Sequence, residues 1–489
     1  MITVQLNKRD FEYDIHSLIR AFYPGVDVPL YLEGEEEPQG FEKKLEVCYS
    51  EALIRLIWRD ADGKELARRE CAVDFYADRK QTKNALKAAL YELLSEYTGQ
   101  KLPWGNLTGI RPTKIPMGLL EQGWKNTEIA DYMRKTYYTS NEKTALAISI
   151  ANRERAILKD IDYQNGYSLY VGIPFCPSIC LYCSFSSSPL SVWKSRVDDY
   201  LDALCREIEQ TAHIWREKQL DTVYIGGGTP TTLEPYQLER LLDKLEECFE
   251  LAHVKEFTVE AGRPDSITAK KLQVLKDHPV TRISINPQTM NDRTLEIIGR
   301  RHTVQQTTEA FALARRIGFD NINMDLIVGL PGEGYAEVEH TMRQVTALAP
   351  DSITVHSLAL KRATRLNLFK DQYAPMSFVN NQEIMDMTAR YAAQAGQFPY
   401  YLYRQKNMAG NFENVGYARE VAAYTHGLGR WAVLPAGYDA CHNADEIVSA
   451  AGYDPDADVE NPADSVFCAH GAGYLVKWDE VPARAHLST

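Results

Sequence analysis

The feature that most constrains the fold is a series of six short runs rich in β-branched residues, separated by stretches of helical character. Each run is only a few residues long, and the intervals are those of βα units with crossover helices. The pattern predicts an α/β fold, specifically a partial (β/α)6 barrel of parallel strands that stays open on one side. The runs cover residues 167–173, 221–226, 256–261, 281–286, 321–328 and 351–356.

Composition excludes several classes of protein. Nine cysteines among 489 residues are too sparse for a disulfide scaffold. No stretch approaches the roughly 18 apolar residues that span a membrane, and the amino terminus has no apolar leader, so we expect a cytoplasmic protein whose thiols are reduced. A formal net charge of −13 argues against a nucleic-acid-binding protein, because phosphate recognition requires a basic face.

Changes of pattern along the chain predict five regions. These are a small N-terminal α+β domain at 1–100, a helical connector at 101–160, the barrel at 161–375, a C-terminal region at 376–418 and a separate segment at 419–489. The first domain is expected to hold a strand, an amphipathic helix, one hairpin turning at residues 60–63 and a helix at about 80–97. The Pro/Gly-rich stretch 103–116 is interpreted as a structured linker.

Cys176, Cys180 and Cys183 follow the first predicted strand with C-x3-C-x2-C spacing. Three thiolates are one fewer than a closed zinc site or a fully ligated four-iron cluster needs, so a metal group here would keep one position open to a reactant. The spacing alone leaves open a zinc knuckle with a distant fourth ligand, a redox thiol pair, or cysteines that only pack. Cys205 and Cys248 lie in predicted helices, where a small buried side chain is the ordinary role.

Polar residues recur where the predicted strands end, which is where such barrels carry their chemistry. The second run leads into GGGTPTTL at 226–233, whose glycines allow a ligand to approach the backbone closely. Glu260, Gln288 and Asp325 lie at or just beyond the ends of the next three runs. Because these polar side chains occupy corresponding positions on adjacent strands, we expect them to bind a ligand and not simply to face solvent.

These motifs together resemble a known family. The cysteine loop and the GGGTP turn look like the radical S-adenosylmethionine (radical SAM) superfamily. The segments LYVGIPFCPSICLYC, GGGTPTTL, EIIGRRHT and DLIVGLPGE together resemble its oxygen-independent coproporphyrinogen III oxidases. FEYDIHSLIRAFYP, LPWGNLTGIRPTKI and YYLYRQKNMAGNFENVGYA are similar to HemZ-type coproporphyrinogen dehydrogenases, so the resemblance covers about residues 1–418.

The resemblance implies that Cys176, Cys180 and Cys183 bind three irons of a [4Fe–4S] cluster, whose fourth iron chelates S-adenosylmethionine. One electron from the cluster would cleave that cofactor to a 5′-deoxyadenosyl radical. In the family, the radical removes a β-hydrogen from a propionate, which loses carbon dioxide and an electron and becomes vinyl. The S-adenosylmethionine-binding residues implied are Tyr170, Gly227, Gly228, Thr229, Glu260, Gln288, Arg300 and Asp325.

The activity implied is the oxidative decarboxylation of coproporphyrinogen III to protoporphyrinogen IX in haem biosynthesis, with a one-electron donor such as flavodoxin or ferredoxin. Gly172 stands where the oxidase pattern has histidine, so a haem-binding chaperone without decarboxylase activity is the alternative. For the anionic substrate we expect cationic contacts from Arg362 and Arg404, because arginine can grip a carboxylate with two hydrogen bonds. Lys361 belongs to the same basic segment as Arg362.

The last 71 residues, 419–489, depart from this family. They resemble the C-terminal end of elongation-factor-G-like translation GTPases, and eleven Asp and Glu against four Lys and Arg make them acidic, with a net charge of −7. No G-x4-G-K-[ST] phosphate loop occurs in the chain, so we expect no GTPase activity from this segment and interpret it as a fusion, a recombined gene or an assembly artefact. Cys441, His442, Cys468 and His470 lack the paired spacing of zinc ligands.

Overall fold

The computed structural model describes most of the first 419 residues. The described residues are 1–74, 78–109, 111–159, 161, 165–185, 187–359, 361, 364–373, 376–404 and 412–419, together with the backbone of two short paired strands, Ser465–Phe467 and Leu475–Lys477. They divide into two compact units. The first unit comprises Met1–Asn152 and Leu402–Glu413, and the second comprises Arg153–Tyr401 and the chain from Asn414 onward.

A five-stranded sheet forms the base of the first unit. Its strands are β1 (Ile2–Leu6), β2 (Leu30–Leu32), β3 (Lys43–Tyr49), β4 (Leu53–Asp60) and β5 (Glu65–Ala72). Their order in the sheet is β2-β1-β3-β4-β5. Strand β1 is parallel to β2 and β3, whereas β4 is antiparallel to both of its neighbours.

Five helices accompany this sheet along the chain. They are α1 (Glu12–Phe22), α2 (Arg79–Thr98), α3 (Lys114–Glu121), α4 (Asn126–Tyr137) and α5 (Asn141–Leu158). Helix α1 buries Ile15, Leu18 and Ile19 in the core that it shares with the sheet, at the i, i+3, i+4 spacing of an amphipathic helix. Helix α2 begins after Asp78, whose carboxylate accepts hydrogen bonds from two backbone amides, and ends at Gly99 in a left-handed conformation.

The region interpreted as one hairpin is a three-stranded meander, so that prediction was incomplete. The predicted turn at residues 60–63 joins β4 to β5, and Gly63 there has a φ of 80°. A second reversal at residues 50–52 joins β3 to β4. It contains neither glycine nor proline, which are the strongest turn signals in a sequence, and it was therefore missed.

The stretch 103–116 is packed more closely than a simple linker. Trp104 is fully buried, and its Nε1 donates a hydrogen bond to Oε2 of Glu413 at 2.7 Å. Arg404 is also buried and donates through Nη1 to the carbonyl oxygen of Leu107 at 2.5 Å. Both ends of the returning segment 402–413 therefore hold this stretch within the first unit.

An eight-stranded sheet forms the base of the second unit and confirms the predicted α/β fold. The strands of this unit are β6 (Gly166–Ile173), β7 (Phe175–Cys176), β8 (Ser188–Pro189), β9 (Gln219–Gly227), β10 (Glu256–Gly262), β11 (Arg282–Ile285), β12 (Ile322–Val328), β13 (Ser352–Ser357), β14 (Gln397–Tyr403) and β15 (Asn414–Arg419). The sheet order is β14-β15-β13-β12-β11-β10-β9-β6, while β7 and β8 pair only with each other. Six neighbouring strands of this sheet are parallel, namely β13, β12, β11, β10, β9 and β6. Strands β14 and β6 lie at its two edges.

Two strands of this sheet were not anticipated. Strand β15 runs antiparallel to β13, and β14 lies beside β15. The β14 sequence QFPYYLY has a proline and no alternation of apolar and polar residues, so it carries no strand signal. No residue between β13 and β15 signals which strand β15 pairs with. Its antiparallel pairing with β13 could therefore be found only in the folded chain.

Ten helices among the described residues of the second unit connect or flank these strands. They are α6 (Leu190–Trp193), α7 (Val197–Ile214), α8 (Pro235–Cys248), α9 (Ala269–Asp277), α10 (Asp292–Ile297), α11 (Val304–Ile317), α12 (Tyr335–Ala347), α13 (Arg365–Leu368), α14 (Lys370–Tyr373) and α15 (Gln382–Gln394). Helix α8 shows how they pack, since it buries Leu238, Leu241, Leu242 and Leu245 along one face.

The parallel sheet has one apolar and one polar face. Along β6, Tyr167, Leu169, Val171 and Ile173 are buried apolar positions, and the alternate residues belong to the other face. On that second face, Thr222 of β9 donates to Ser168 of β6 at 2.7 Å. Further hydrogen bonds join Ser352 to Asn323 at 2.9 Å and Arg282 to Ser352 at 3.4 Å. The inner face of the open barrel is therefore polar.

In the part of the chain that the structure describes, no helix combines the length and apolarity needed to cross a bilayer. Most of the segment interpreted as a fusion, with Cys441, His442, Cys468 and His470, lies outside the described residues. Its resemblance to translation GTPases stays a prediction.

Candidate cofactor site at the carboxyl ends of the parallel strands

The three cysteines of the motif lie on one loop directly after β6. Cys176 belongs to β7, and the amide of Cys183 donates to the carbonyl oxygen of Cys180 at 3.1 Å, which closes a tight turn. Cys176 and Cys180 are buried. Burial raises the pKa of the Cys176 thiol to about 11. A metal group that binds these thiols must therefore displace protons.

The three thiols could bind a cluster without meeting at one point. Among the described residues, no three His, Cys, Asp or Glu side chains converge where they could hold one metal ion. In a four-iron cluster each thiolate binds a different iron, so the sulfur atoms surround a group of finite size and need not converge on one point.

The glycine loop after β9 packs directly against the start of the cysteine loop. The amides of Gly228 and Thr229 donate to the carbonyl oxygens of Ile173 and Phe175, both at 2.7 Å. A Cβ on Gly228 would lie 2.6 Å from the Phe175 oxygen, so only glycine allows this approach. Thr229 Oγ1 lies 3.6 Å from the sulfur of Cys176. The glycines therefore bring the two loops together.

Arg300 links the cysteine loop to the end of β11. The residue is buried, and its Nη1 donates to the carbonyl oxygen of Asn286 at 2.6 Å. Its Nε and Nη2 donate to the hydroxyl of Tyr182, which lies between Cys180 and Cys183, at 3.3 and 3.2 Å. This guanidinium is part of the site and not of a solvated surface.

Gln288 has the backbone conformation expected of a functional position. Its φ of 67° is left-handed, which is uncommon outside glycine and costs about 1–3 kcal/mol. Two backbone hydrogen bonds to β12 hold Gln288. Its amide donates to the carbonyl oxygen of Asp325 at 3.0 Å, and the amide of Ile327 donates to the carbonyl oxygen of Gln288 at 2.9 Å. Its side-chain Oε1 is buried and has no hydrogen-bond partner among the described residues. A buried acceptor of this kind fits a polar ligand.

Asp325 lies beside Gln288 and is held by neighbouring strands. Its Oδ1 accepts a hydrogen bond from Asn323 at 2.7 Å, and its amide donates to Oδ1 of Asn286 at 3.2 Å. Nε2 of His356 on β13 lies 3.8 Å from Oδ2. Asp325 is thus a buried carboxylate at the C-terminal part of β12, with both oxygens near polar groups.

Glu260 and Tyr170 are joined through Tyr224. The hydroxyl of Tyr224 donates to Oε1 of Glu260, and the rings of Tyr170 and Tyr224 stack with centroids 5.8 Å apart. All three residues lie on the polar face of adjacent strands β6, β9 and β10. Tyr170 and Glu260 therefore belong to one group of contacts, and Gln288, Arg300 and Asp325 belong to a second group that centres on Asn286.

Three residues of this network escaped the sequence interpretation. Asn286 accepts hydrogen bonds from Arg300 and from the Asp325 amide, Tyr182 accepts from Arg300, and Tyr224 contacts Glu260. Tyr224 could have been found from strand alternation, because it lies two residues before Gly226 on the polar face. Asn286 and Tyr182 carry no local signal, since their partners are distant in sequence.

The two predicted substrate residues are not brought to this site by any described contact. Arg362 lies outside the described residues. Arg404 is buried in the first unit, and its guanidinium lies 5.8 Å from the Trp104 ring centre, so its geometry supports a structural role. Lys361, in contrast, lies near the cysteine loop, with its Nζ 5.5 Å from the ring centre of Phe185.

Cys205 and Cys248, the two cysteines predicted to lie in helices, do lie in helices. Cys205 is buried in α7, and Cys248 is the last residue of α8. Burial raises the pKa of both thiols. Cys205 fits the predicted role of a small buried side chain, whereas Cys248 is only partly buried.

Comparison with known proteins gives a consistent family. Residues 170–345 match the model of the Radical SAM superfamily. The chain is 40% identical over 343 residues to the oxygen-independent coproporphyrinogen-III oxidase-like protein HemZ of Bacillus subtilis (strain 168), covering 69% of this chain and 68% of that protein. It is 39% identical over 198 residues to the haem chaperone HemW of the same organism, covering 40% of this chain and 52% of the chaperone.

A solved structure, the coproporphyrinogen III oxidase HemN from Escherichia coli, matches with a TM-score of 0.46 and 27% identity over 55% of this chain and 60% of that one. The chain thus spans about half the length of the chaperone that it matches and two thirds of HemZ. Radical SAM proteins use a [4Fe–4S] cluster and S-adenosylmethionine, and the cysteine loop, the glycine contact and the buried Gln288 oxygen fit those groups. The chain therefore belongs to the radical SAM family of the oxygen-independent coproporphyrinogen-III oxidase-like protein HemZ, and its cofactors are a [4Fe–4S] cluster and S-adenosylmethionine.

Proposed function

We propose that this chain catalyses the oxygen-independent oxidative decarboxylation of coproporphyrinogen III to protoporphyrinogen IX. Its similarity to an oxidase-like protein supports the reaction class. The observation that carries the proposal is the position of Arg300, which contacts Tyr182 on the cysteine loop and Asn286 beside Asp325. A cluster on that loop and a cofactor at Asp325 would therefore be neighbours, as radical chemistry requires.

In this proposal Cys176, Cys180 and Cys183 ligate the cluster. When reduced, the cluster supplies the electron that cleaves S-adenosylmethionine and so starts hydrogen abstraction from the substrate. The chain's own residues bind and orient that cofactor. Arg300 would bind its carboxylate, and the remaining residues would bind its other polar groups; these are Tyr170, Gly227, Gly228, Thr229, Glu260, Gln288 and Asp325. Carboxylates and a buried amide oxygen suit its ammonium and hydroxyl donors.

The overall change on each reacting propionate balances as follows. The side chain –CH2–CH2–COO⁻ loses one hydrogen atom from its β-carbon to the 5′-deoxyadenosyl group, which leaves as 5′-deoxyadenosine, and then the bond to the carboxylate carbon breaks. Carbon dioxide leaves, a vinyl group remains, and one electron passes to a one-electron acceptor. Two propionates react, so two equivalents of S-adenosylmethionine are consumed for each protoporphyrinogen formed. We propose a flavodoxin or ferredoxin in the cytoplasm as the donor for cofactor cleavage.

An anionic substrate requires a cation near the cysteine loop, and Lys361 provides one. Its Nζ lies 5.5 Å from the ring centre of Phe185, burial lowers the pKa of its ammonium, and Cys183 opposes that shift. The amide of Leu366 donates to the carbonyl oxygen of Leu181 at 3.0 Å, which fixes this basic segment to the loop. A propionate at Lys361 would therefore lie close to the site of radical formation.

The test uses anaerobically reconstituted protein with coproporphyrinogen III, S-adenosylmethionine and reduced flavodoxin. We expect protoporphyrin after oxidation, carbon dioxide, and two 5′-deoxyadenosines per product. Lys361→Ala should raise the KM for coproporphyrinogen about tenfold, the loss of one charged hydrogen bond, without changing uncoupled cofactor cleavage. Lys218→Ala is the matched control, because Lys218 also lies over an aromatic ring, Trp215, but beside the start of β9.

A haem-binding chaperone is the second candidate, and Gly172 favours it. The position lacks the histidine of the oxidase pattern, although a Cβ there would meet only the Tyr170 ring at 3.6 Å. Stoichiometric haem binding, without cofactor consumption when coproporphyrinogen is added, would replace the decarboxylase proposal by this one. Gly172→His would show whether histidine at this position alone restores turnover.

A further inference from the structure

Arg263 is a buried cation beside the cysteine loop that the proposed chemistry does not use. It follows β10 directly and begins the short 3₁₀ turn Pro264–Ser266. Only 3% of its surface is exposed. A guanidinium is buried to this extent only when its donors are satisfied, and here the acceptors lie on the cysteine loop and on one carboxylate.

One nitrogen of Arg263 faces the cysteine loop. Nη1 donates to the carbonyl oxygen and to the hydroxyl oxygen of Ser178, at 3.0 and 2.9 Å, and lies 3.7 Å from the sulfur of Cys180. The Ser178 hydroxyl in turn donates to the carbonyl oxygen of Gly299 at 2.9 Å. A full positive charge therefore lies in hydrogen-bonding range of one of the three thiols assigned to the cluster.

The other two nitrogens hold a counter-charge. Nε and Nη2 donate to Oδ1 and Oδ2 of Asp265 at 3.0 and 2.7 Å, in the two-pronged geometry that fixes a guanidinium plane. His302 lies 3.9 Å from the same carboxylate, and burial next to Arg300 lowers its pKa to about 3, so it is neutral. Asp265 is thus the anion that offsets Arg263.

We propose that Arg263 and Asp265 act as positioning residues that set the reduction potential of the cluster, Arg263 raising it and Asp265 lowering it. Adding an electron makes a thiolate-bound cluster more negative. A cation and hydrogen-bond donor at the Cys180 sulfur stabilises the reduced form, and a nearby carboxylate destabilises it. The low dielectric of the buried site makes both effects larger than at a surface. The inference depends on cluster binding by the three cysteines and is independent of the tetrapyrrole reaction.

The experiment measures the midpoint potential of the reconstituted cluster without S-adenosylmethionine, by potentiometric poising with dithionite and mediators and detection of the reduced cluster by EPR. Arg263→Gln should lower the ratio of reduced to oxidised cluster at a fixed potential about tenfold, which is about 59 mV for a one-electron couple. Asp265→Asn should shift the potential in the opposite direction. Arg301→Gln, an exposed arginine next to Arg300, is the control and should shift it little.

Opposite shifts distinguish an electrostatic role from a purely structural one. A residue pair that only braces the loop would give shifts of the same sign in both variants, or no shift, and either result would overturn the proposal. If the Arg263→Gln variant fails to retain iron, the Asp265→Asn variant alone tests the proposal. A rise in the midpoint potential of its cluster supports the proposal, and no rise refutes it. Loss of iron in both variants assigns the pair to loop folding and also refutes it. Failure of decarboxylation leaves these outcomes unaffected.

Discussion

Lys143 and Glu413 form a buried ion pair in the first unit, although 270 residues separate them in the chain. The Nζ to Oε1 distance is 2.6 Å, and the two side chains are 4% and 1% exposed. Trp104 donates to the other carboxylate oxygen, so both oxygens of Glu413 are satisfied. These contacts attach the returning segment, residues 402–413, to helix α5 and to the stretch 103–116, which both precede the barrel in sequence.

Glu413→Gln should destabilise the first unit by about 3–5 kcal/mol, because it leaves the buried Lys143 ammonium without its counter-charge. Denaturant unfolding of the full chain, followed by tryptophan fluorescence, measures the loss. Asp202→Asn removes the partner of Arg240 at a surface where the side chains are 52% and 43% exposed, and it should cost about 0–1 kcal/mol. Equal effects of the two substitutions would contradict the role assigned to Glu413.

Removal of any one motif cysteine should abolish the cluster. Cys176→Ala, Cys180→Ala and Cys183→Ala are expected to lose iron after anaerobic reconstitution, since a cluster with two protein thiolates is poorly held. Cys205→Ala and Cys248→Ala should retain it, because their thiols lie on α7 and α8. Iron and sulfide analysis of each reconstituted variant gives the readout. Retention of the cluster in Cys180→Ala would refute the ligand assignment.

Asp325→Asn should weaken S-adenosylmethionine binding about ten- to hundredfold, or roughly 1.5–3 kcal/mol, the range for a hydrogen bond to a charged group. Equilibrium dialysis of the reconstituted protein with labelled cofactor measures the affinity. Asp320→Asn removes an exposed carboxylate five residues earlier and serves as the control. If affinity stays normal while the melting temperature falls, Asp325 has a structural role only.

Gly228→Ala should separate the glycine loop from the cysteine loop. The added Cβ would lie 2.6 Å from one carbonyl oxygen and 2.9 Å from another, both on the backbone, so the loops must shift. A destabilisation of about 1–3 kcal/mol and a reduced iron content are expected. Gly172→Ala is the control, because the nearest atom to its Cβ would be an aromatic carbon at 3.6 Å. Normal iron content in Gly228→Ala would show that this contact does not hold the cluster loop.

Much of the second unit is predictable because its information is local. Alternation in β6 and the periodic leucines of α8 each depend on neighbours in sequence, and both lie where the pattern predicts them. The cysteine spacing likewise identifies its loop. Strand β14, whose aromatic sequence lacks alternation, shows the limit, since its place in the sheet depends on β15.

The six parallel strands, the cysteine loop and the polar residues near the strand ends could be predicted from the sequence alone, because repeating patterns and short spacings act through adjacent residues. The partners of the buried charges depended instead on the tertiary fold. Arg404 was expected at a substrate surface and lies against Leu107 in the first unit, while Arg263 carried no signal and lies beside Cys180. A buried charge is stabilised by whichever opposite charge or dipole the folded chain brings near it, and that partner can be hundreds of residues away.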